Sequence, residues 1–541
     1  MPFHTHLPRP ISDLAGIFFA PAAPPPPVAR WEWGLVSGFL ALSLALGLAN
    51  LGVPSLWHDE LVHLYVAKNI AATGWPALPS GDFYPSSTLY NYLLALFVVL
   101  FGDSEFAARL PSVLLGAGNT ALVYMLCRAW LGWPAAIAAV FFFVTSPWQV
   151  AWARQARLYE LQMTTYLLLL LSAWQFFDRE APKRAVSRGL AAVGAYFAGI
   201  LTSFHSILFL GPVGAFAIGL GVRAGKANHR WAYAVAVCTL LGLLTILCFW
   251  LNPNPVDRAA VFQTGLGGEL LDHTRADRYY YLRFFANNLS VGFFLLALFG
   301  SAALGMRAGR KDVWVLLAFW VPVLILTYLV GYRRFRFMFF AYPIYTMICA
   351  YGLVLLLSVL RNYRRSLVHG ACAVLIAVFL ARLTLSTVQL IRDSLETASG
   401  ANKTLAILHP AWREPAAWVK AHRTDEAVLT TTFLPVHHYL GHVDNWFPNR
   451  YTLWERQESG LVGLGSLEEL KSFLVAHPRG YFLAESSRFM DFRRHGDLED
   501  VLGGEFQWVN THMTLVEEAC AEQVNVWRWD FVGEGGVVVV P

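Results

Sequence analysis

Directly after its first long apolar run the chain reads LWHDELVHLYVAKNI, which sets two carboxylates, Asp59 and Glu60, side by side at a membrane boundary. An acceptor hydroxyl is a poor nucleophile near neutral pH, and a positioned carboxylate can take its proton as it attacks. Neighbouring residues on a helix point about 100° apart, so one of the two faces a given substrate. Acidic residues are also favoured at any helix start by the dipole, so the pair alone leaves a solvated helix N-terminus equally open. His58 and His63 flank the pair, but a zincin needs its two histidines four apart, and here they are five apart with Asp59 inserted. No zinc site is expected and no cofactor is certain; a divalent metal is left open without being predicted.

A second kind of chemistry lies in the arginines. Arg154 and Arg157 stand in WARQARLYE, and Arg333, Arg334 and Arg336 in GYRRFRFMFFAYP, each at the end of an apolar run. Guanidinium groups bind a phosphate bidentately, and a lipid phosphate at the interface is a matching anion. Snorkelling to headgroups is the structural alternative for any one of them. His205, between two apolar runs, could touch a substrate or serve as a hydrogen-bonding residue of the scaffold. Tyr84, Tyr90 and Tyr92, with Tyr279, Tyr280 and Tyr281, could stack on sugars or form an interfacial aromatic belt.

The elements that must carry these residues are membrane spans. Of the 541 residues 56% are hydrophobic and 14% charged, with mean hydropathy +0.46, far from a soluble balance of about a quarter charged. Spans of about 20 apolar residues fit 33–52, 109–127, 134–152, 158–177, 189–204, 206–222, 231–251, 285–306, 313–331, 337–359 and 366–388. That makes about eleven crossings. Residues 1–30 with PAAPPPP lack a signal-peptide pattern and read as a disordered cytoplasmic tail. The six cysteines suggest neither a disulfide framework nor a paired metal site.

The apolar segment 89–102 is short for a span and reads as interfacial, re-entrant or crossing. If it does not cross, the loops with Arg128, with Arg179, Lys183, Arg184 and Arg188, with Arg223, Lys226 and Arg230, with Arg307, Arg310 and Lys311, and with Arg361, Arg364 and Arg365 all face the cytoplasm. That distribution follows the positive-inside rule and favours the non-crossing reading. The first loop, 53–108, is then outside, as are the two arginine clusters, which break the rule and so call for a functional partner. The net charge of +5 sits in short loops, so no nucleic-acid partner is expected.

After about residue 395 the composition changes. WREPAAWVKAHR and SLEELKSFLVAHP read as amphipathic helices, and AVLTTT, GYFLAE, FQWVNTH and VNVWRWDF as short strands, which makes 395–541 a small extracytoplasmic α/β domain. HHYLGH, with His437, His438 and His442, reads as a helix with one polar face in preference to a metal cluster.

Taken together, LWHDELVHLYVAKNI, LYNYLLALFVVLFGDSEFAARLPSVLLGAGNTALVYML, TSPWQVAWARQARLYELQ and RFRFMFFAYPIYTMICAYGL resemble the dolichyl-phosphate-mannose protein mannosyltransferases. They are similar also to the bacterial aminoarabinose transferases and other membrane transferases of the GT-C fold. The resemblance covers roughly 33–390 and implies a GT-C-like catalytic module over 31–390. It places the acidic pair on Asp59 and Glu60, with Asp59 the base, and a donor-phosphate arginine on Arg336 with Arg333 and Arg334 beside it. Many relatives carry Pro-Pro where this chain has Tyr84-Pro85-Ser86-Ser87, and an acid after the third span that Glu160 loosely matches. The implied activity is inverting transfer of a hexose or pentose from a polyprenyl-phosphate-linked donor to a lipid, glycan or protein acceptor. The implied location is the outer face of the cytoplasmic membrane.

A transporter or lipid flippase is the rival reading. It would show ionisable residues at mid-membrane, or broken helices in matching halves. Here the charges gather at one face and no inverted repeat is visible, which favours the transferase over both a transporter and a non-catalytic scaffold.

Overall fold

The computed structural model describes residues 29–177, 184–224, 230–251, 279–329, 334–362, 410–447, 459–485 and 507–532 (522 excepted), with isolated positions between 370 and 392. The chain forms two compact units. The first comprises 1–49, 112–154 and 158–392, the second 50–111, 155–157 and 393–541.

The first unit is helical. Its elements are α1 (Arg30–Leu48), the distal part of the helix Glu105–Leu131, then Trp133–Val144, Pro147–Ala153, Tyr159–Phe177, Ala185–Thr202, Leu210–Ala224 led in by a 3-10 turn Phe204–Phe209, Arg230–Leu251, Val291–Arg307, Arg310–Tyr328, and Tyr342–Asn362 led in by a 3-10 turn Phe335–Ala341. Among the described residues seven helices are long and apolar enough to cross a membrane, or nine if each of two bent pairs is one span. The expected span 158–177 is a 19-residue helix whose Glu160, Gln162 and Gln175 lower its apolar content, and it is not one of the seven. The expected span 366–388 lies largely outside the described residues. The apolar run 134–152 is broken. Helices Trp133–Val144 and Pro147–Ala153 meet at 61°, because Pro147 cannot continue the backbone ladder and the Ser146 hydroxyl caps the second piece from its own position.

Backbones touch where Val291–Arg307 crosses Tyr342–Asn362. A methyl group on Gly300 would collide with the Ile348 carbonyl oxygen, and one on Gly352 with that of Leu296. Small residues at such crossings let helices approach without side chains between them. Near the start of α1 a polar cluster ties it to the helix Glu105–Leu131. Glu32 accepts from the Ala29 amide at 2.8 Å and from Arg128 Nε at 2.6 Å, and the Tyr124 hydroxyl also donates to it.

The second unit joins the first loop to the tail. In the loop, α2 (His58–Thr73) packs on α3 (Thr88–Phe101). At 14 residues α3 extends about 21 Å, short of the roughly 30 Å hydrocarbon core. His63 and Asn91 tie the two helices together, Nδ1 to Oδ1 at 2.7 Å. His63 is 2% exposed, and burial, with Arg157 nearby, pushes its pKa down to about 3.

The tail folds as a five-stranded sheet. Label the strands β1 (Ala427–Thr430), β2 (Asn445–Trp446), β3 (Arg479–Glu485), β4 (Thr514–Leu515) and β5 (Val524–Asp530); their order is β2-β1-β3-β5-β4. β1 runs parallel to β2 and β3, while β5 pairs antiparallel with β3 and β4. The register sets Leu429 opposite Phe482 and Phe482 opposite Trp527, so three apolar side chains line one face of the sheet. Leu470 and Leu474, from the helix Leu467–Ala476, cover that core. FQWVNTH, expected as a strand, is helical over 507–512. Its Val509 and Met513 stand four apart and bury together in the core, a helical spacing that its strand-prone aromatic and β-branched residues conceal.

Candidate functional site

The acidic pair begins α2, and the structure gives its two members opposite fates. Glu60 is fully buried against Arg109, with side-chain exposures of 0% and 2%. Arg109 Nε donates to Oε1 at 2.8 Å and Nη2 to Oε2 at 2.7 Å. The Ala156 amide adds a bond to Oε1 at 2.8 Å and the Trp57 amide one to Oε2 at 3.3 Å. Arg109 spends its remaining donors on the carbonyls of Leu51, Pro54 and Ser55, at 2.8 to 3.0 Å. A carboxylate so enclosed fixes the chain around it.

Asp59 is different. Its side chain is 27% exposed and pairs with Arg157 Nη2 at 3.0 Å, and Arg157 Nη1 also donates to the Asp59 carbonyl at 3.0 Å. The Arg157 guanidinium lies 5.6 Å over the Trp57 ring, so an aromatic face and a carboxylate together hold the arginine. Sequence reasoning named Arg157 as a phosphate ligand and left Arg109 unnamed; the structure brings both to the acidic pair. Arg109 stands within the quoted FGDSEFAARLPS stretch, yet nothing local ties it to a glutamate 49 positions away.

In the first unit, Arg154 ends the short helix Pro147–Ala153. It is 8% exposed, and its Nη1 donates to the Leu46 carbonyl at 3.2 Å. Glu160, with no exposed surface, accepts from Gln149 Nε2 and Asn119 Nδ2, each at 2.8 Å. It thereby joins three helices, Glu105–Leu131, Pro147–Ala153 and Tyr159–Phe177.

Arg336 and His205 come together around Phe337. The Arg336 guanidinium lies 5.9 Å from the Phe337 ring, and the His205 imidazole stacks on that ring at 4.2 Å with a 23° interplanar angle. Arg336 is half-buried and Arg334 exposed; Arg333 lies outside the described residues. Trp152 connects this turn to the short helix before Arg154, with ring centroids 6.2 Å from Phe335 and 4.4 Å from Tyr159. Tyr84 stands elsewhere, its amide bonded to the Pro76 carbonyl at 2.9 Å in the turn before α3.

The three tail histidines diverge. His437 Nδ1 bonds the Tyr65 hydroxyl at 2.7 Å, His438 meets the Tyr439 ring edge-on at 4.7 Å, and His442 pairs with Asp444 at 2.9 Å. Among the described residues no group of three or more His, Cys, Asp or Glu could hold a metal ion.

Residues 86–250 match the family model described as dolichyl-phosphate-mannose-protein mannosyltransferase. No curated protein sequence matches the chain. Among solved structures, ArnT from Cupriavidus metallidurans bound to undecaprenyl phosphate is similar at 13% identity and TM-score 0.59, covering 92% of this chain and 98% of that one. The oligosaccharyltransferase of Archaeoglobus fulgidus in its apo form is similar at 12% identity and TM-score 0.59, covering 90% of this chain and 73% of that one. The fold is therefore that of the GT-C glycosyltransferases, a multi-pass membrane architecture with a small C-terminal sheet.

Proposed function

We propose that this GT-C-fold chain is an inverting glycosyltransferase, moving a sugar from a polyprenyl phosphate donor to an acceptor hydroxyl at the extracytoplasmic face of the cytoplasmic membrane. The observation that carries the reading is the division within one acidic dipeptide. Glu60 is sealed against Arg109, while Asp59, the next residue on the same helix, keeps 27% of its surface and sits beside Arg157. A general base must reach its proton, and of the two only Asp59 offers an accessible carboxylate.

Asp59 takes the proton of the acceptor hydroxyl as that oxygen bonds the anomeric carbon. The bond from this carbon to the donor phosphate breaks, its electron pair leaving on polyprenyl phosphate, and one displacement inverts the centre. Arg336, flanked by Arg333 and Arg334, meets the charge that develops on the leaving phosphate. Arg157 orients Asp59, whereas Arg154 and Glu160 hold the short helix between them in place. His205 stacks behind the Phe337 ring that Arg336 overlies, and Tyr84 is left to sugar contact. The donor class is supported by the undecaprenyl phosphate in the ArnT structure. The sugar is a hexose or pentose, and the acceptor a lipid, glycan or protein. Residues 395–541 form the outward domain that shapes acceptor access, and 31–390 the catalytic module.

The test uses the full chain in proteoliposomes with undecaprenyl phosphate linked to mannose, glucose or aminoarabinose, and an envelope extract as acceptor. Release of undecaprenyl phosphate is followed. Asp59→Asn lowers turnover on the order of 100- to 10,000-fold with undecaprenyl phosphate binding retained. Full turnover by Asp59→Asn removes the base assignment.

A further inference from the structure

We infer that Tyr439, in the tail helix Phe433–Leu440, is a positioning residue for the acidic pair; the inference rests on reading Asp59 as the base. The loop that delivers Asp59, residues 51–57, has no regular structure to hold it. On one side Arg109 binds three of its carbonyls. On the other side the tail binds it. The Tyr439 hydroxyl accepts from the Leu56 amide at 2.7 Å and donates to Glu105 Oε1 at 3.0 Å. Glu105 also takes Arg413 Nε at 3.0 Å, and Arg413 reaches the Gly52 carbonyl at 3.1 Å and, through its amide, the Ser55 hydroxyl at 3.2 Å.

Leu56 is fully buried, so its amide needs a protein partner, and the partner comes from 383 positions along the chain. Two residues, Trp57 and His58, separate that amide from Asp59. Burial, with Glu105 as a neighbouring negative charge, raises the Tyr439 phenol above its ordinary range, so the hydroxyl keeps its proton and can accept and donate at once. The tail thus does more than shape acceptor access: one of its hydroxyl groups sets the entry of the helix that carries the base.

Tyr439→Phe deletes the hydroxyl and keeps the ring. In the proteoliposome assay, with the donor sugar that turns over, kcat falls roughly tenfold, because small misplacements of a catalytic group cost rate. KM for the donor stays at its wild-type value, and the melting temperature falls by only the few degrees that one unpartnered buried amide costs, staying above the assay temperature, a split that a loss of tail folding would not give. Glu105→Gln, which leaves an acceptor for the Tyr439 hydroxyl and spares the Leu56 bond, loses less than Tyr439→Phe. Asp59→Asn runs alongside. If it is inactive while Tyr439→Phe turns over at the wild-type rate, the inference is overturned and the base reading stands. If Asp59→Asn is active, the base reading has failed, whatever Tyr439→Phe does. Equal losses in Glu105→Gln and Tyr439→Phe, or a lowered melting temperature in Tyr439→Phe that accounts for its lost rate, also overturn the inference.

Discussion

Removing Arg109 tests whether Glu60 is an anchor. A guanidinium has five N–H donors, and those of Arg109 are directed at Glu60 and at the carbonyls of Leu51, Pro54 and Ser55. Both partners are sealed from solvent, with exposures of 2% and 0%. Taking away one member of such a pair costs about 3–5 kcal/mol, because the other charge stays buried without compensation. For a cooperative unit of 150–250 residues each kcal/mol moves the melting temperature by about 2–4 °C, so Arg109→Ala lowers it by about 6–20 °C. Arg109→Lys keeps the charge, but three donors on one atom cannot span a carboxylate and three carbonyls, and it recovers only part of the loss. Arg109→Met combined with Glu60→Leu removes both charges and is more stable than either single change, since apolar replacement of a buried pair is often neutral or better. The assay is thermal unfolding of the purified protein in detergent, read by intrinsic tryptophan fluorescence. Arg109→Ala melting within about 1 °C of wild type, or a double variant weaker than both singles, would refute the anchoring argument.

Two further outcomes are expected, one from the proposed donor-phosphate role of Arg336 and one from the burial of His63. Arg336→Ala weakens donor use about 10- to 150-fold, the equivalent of a charge-assisted hydrogen bond of about 1.5–3 kcal/mol. Arg336→Lys falls between Arg336→Ala and wild type if the phosphate contact is two-pronged, and titration with undecaprenyl phosphate checks both variants. His63 is neutral in the folded protein down to about pH 3, whereas the unfolded chain takes up this proton near 6.5. Between those values the unfolded state binds more protons, so stability rises with pH and is lost as pH falls through the window, by on the order of several kcal/mol. His63→Gln flattens the melting temperature against pH between about 6.5 and 3; an unchanged slope would set the argument aside.

What could be read from the chain beforehand was what repeats locally. Long apolar runs announced the helices of the first unit, and HDELVHLYVAKN announced a helix with acids in its first turn, observed as His58–Thr73. Strands 427–430, 479–485 and 524–530 stood out as short β-prone runs. The helix at 507–512 did not, since Trp, Val and Thr favour strands and six residues are too few to show a 3.6 period. The two-residue strands Asn445–Trp446 and Thr514–Leu515 carry no pattern at all. Within the candidate site, residue types were legible and partners were not. Two adjacent acids look alike in sequence, and only Arg109, 49 positions away, and Arg157, 98 positions away, separate an anchor from an accessible carboxylate. Glu160 was likewise visible as an acid near a span end, while its enclosure by Asn119 and Gln149 depended on helices meeting in space.

The discontinuity of the second unit has a consequence for how the protein is made. Arg413 follows Glu105 by 308 residues, and Tyr439 follows Leu56 by 383. At a synthesis rate of about 5–20 residues per second the early segment waits roughly 15–60 s or longer for these partners to be translated. Throughout that interval the Leu56 amide and the Glu105 carboxylate must be satisfied by water, by headgroups or by a chaperone. A chain that ends short of residue 439 therefore keeps the contacts of Arg109 and His63 within its first loop but lacks the Tyr439 hydroxyl for the Leu56 amide, so the entry to α2 is the expected site of proteolytic nicking in such a product.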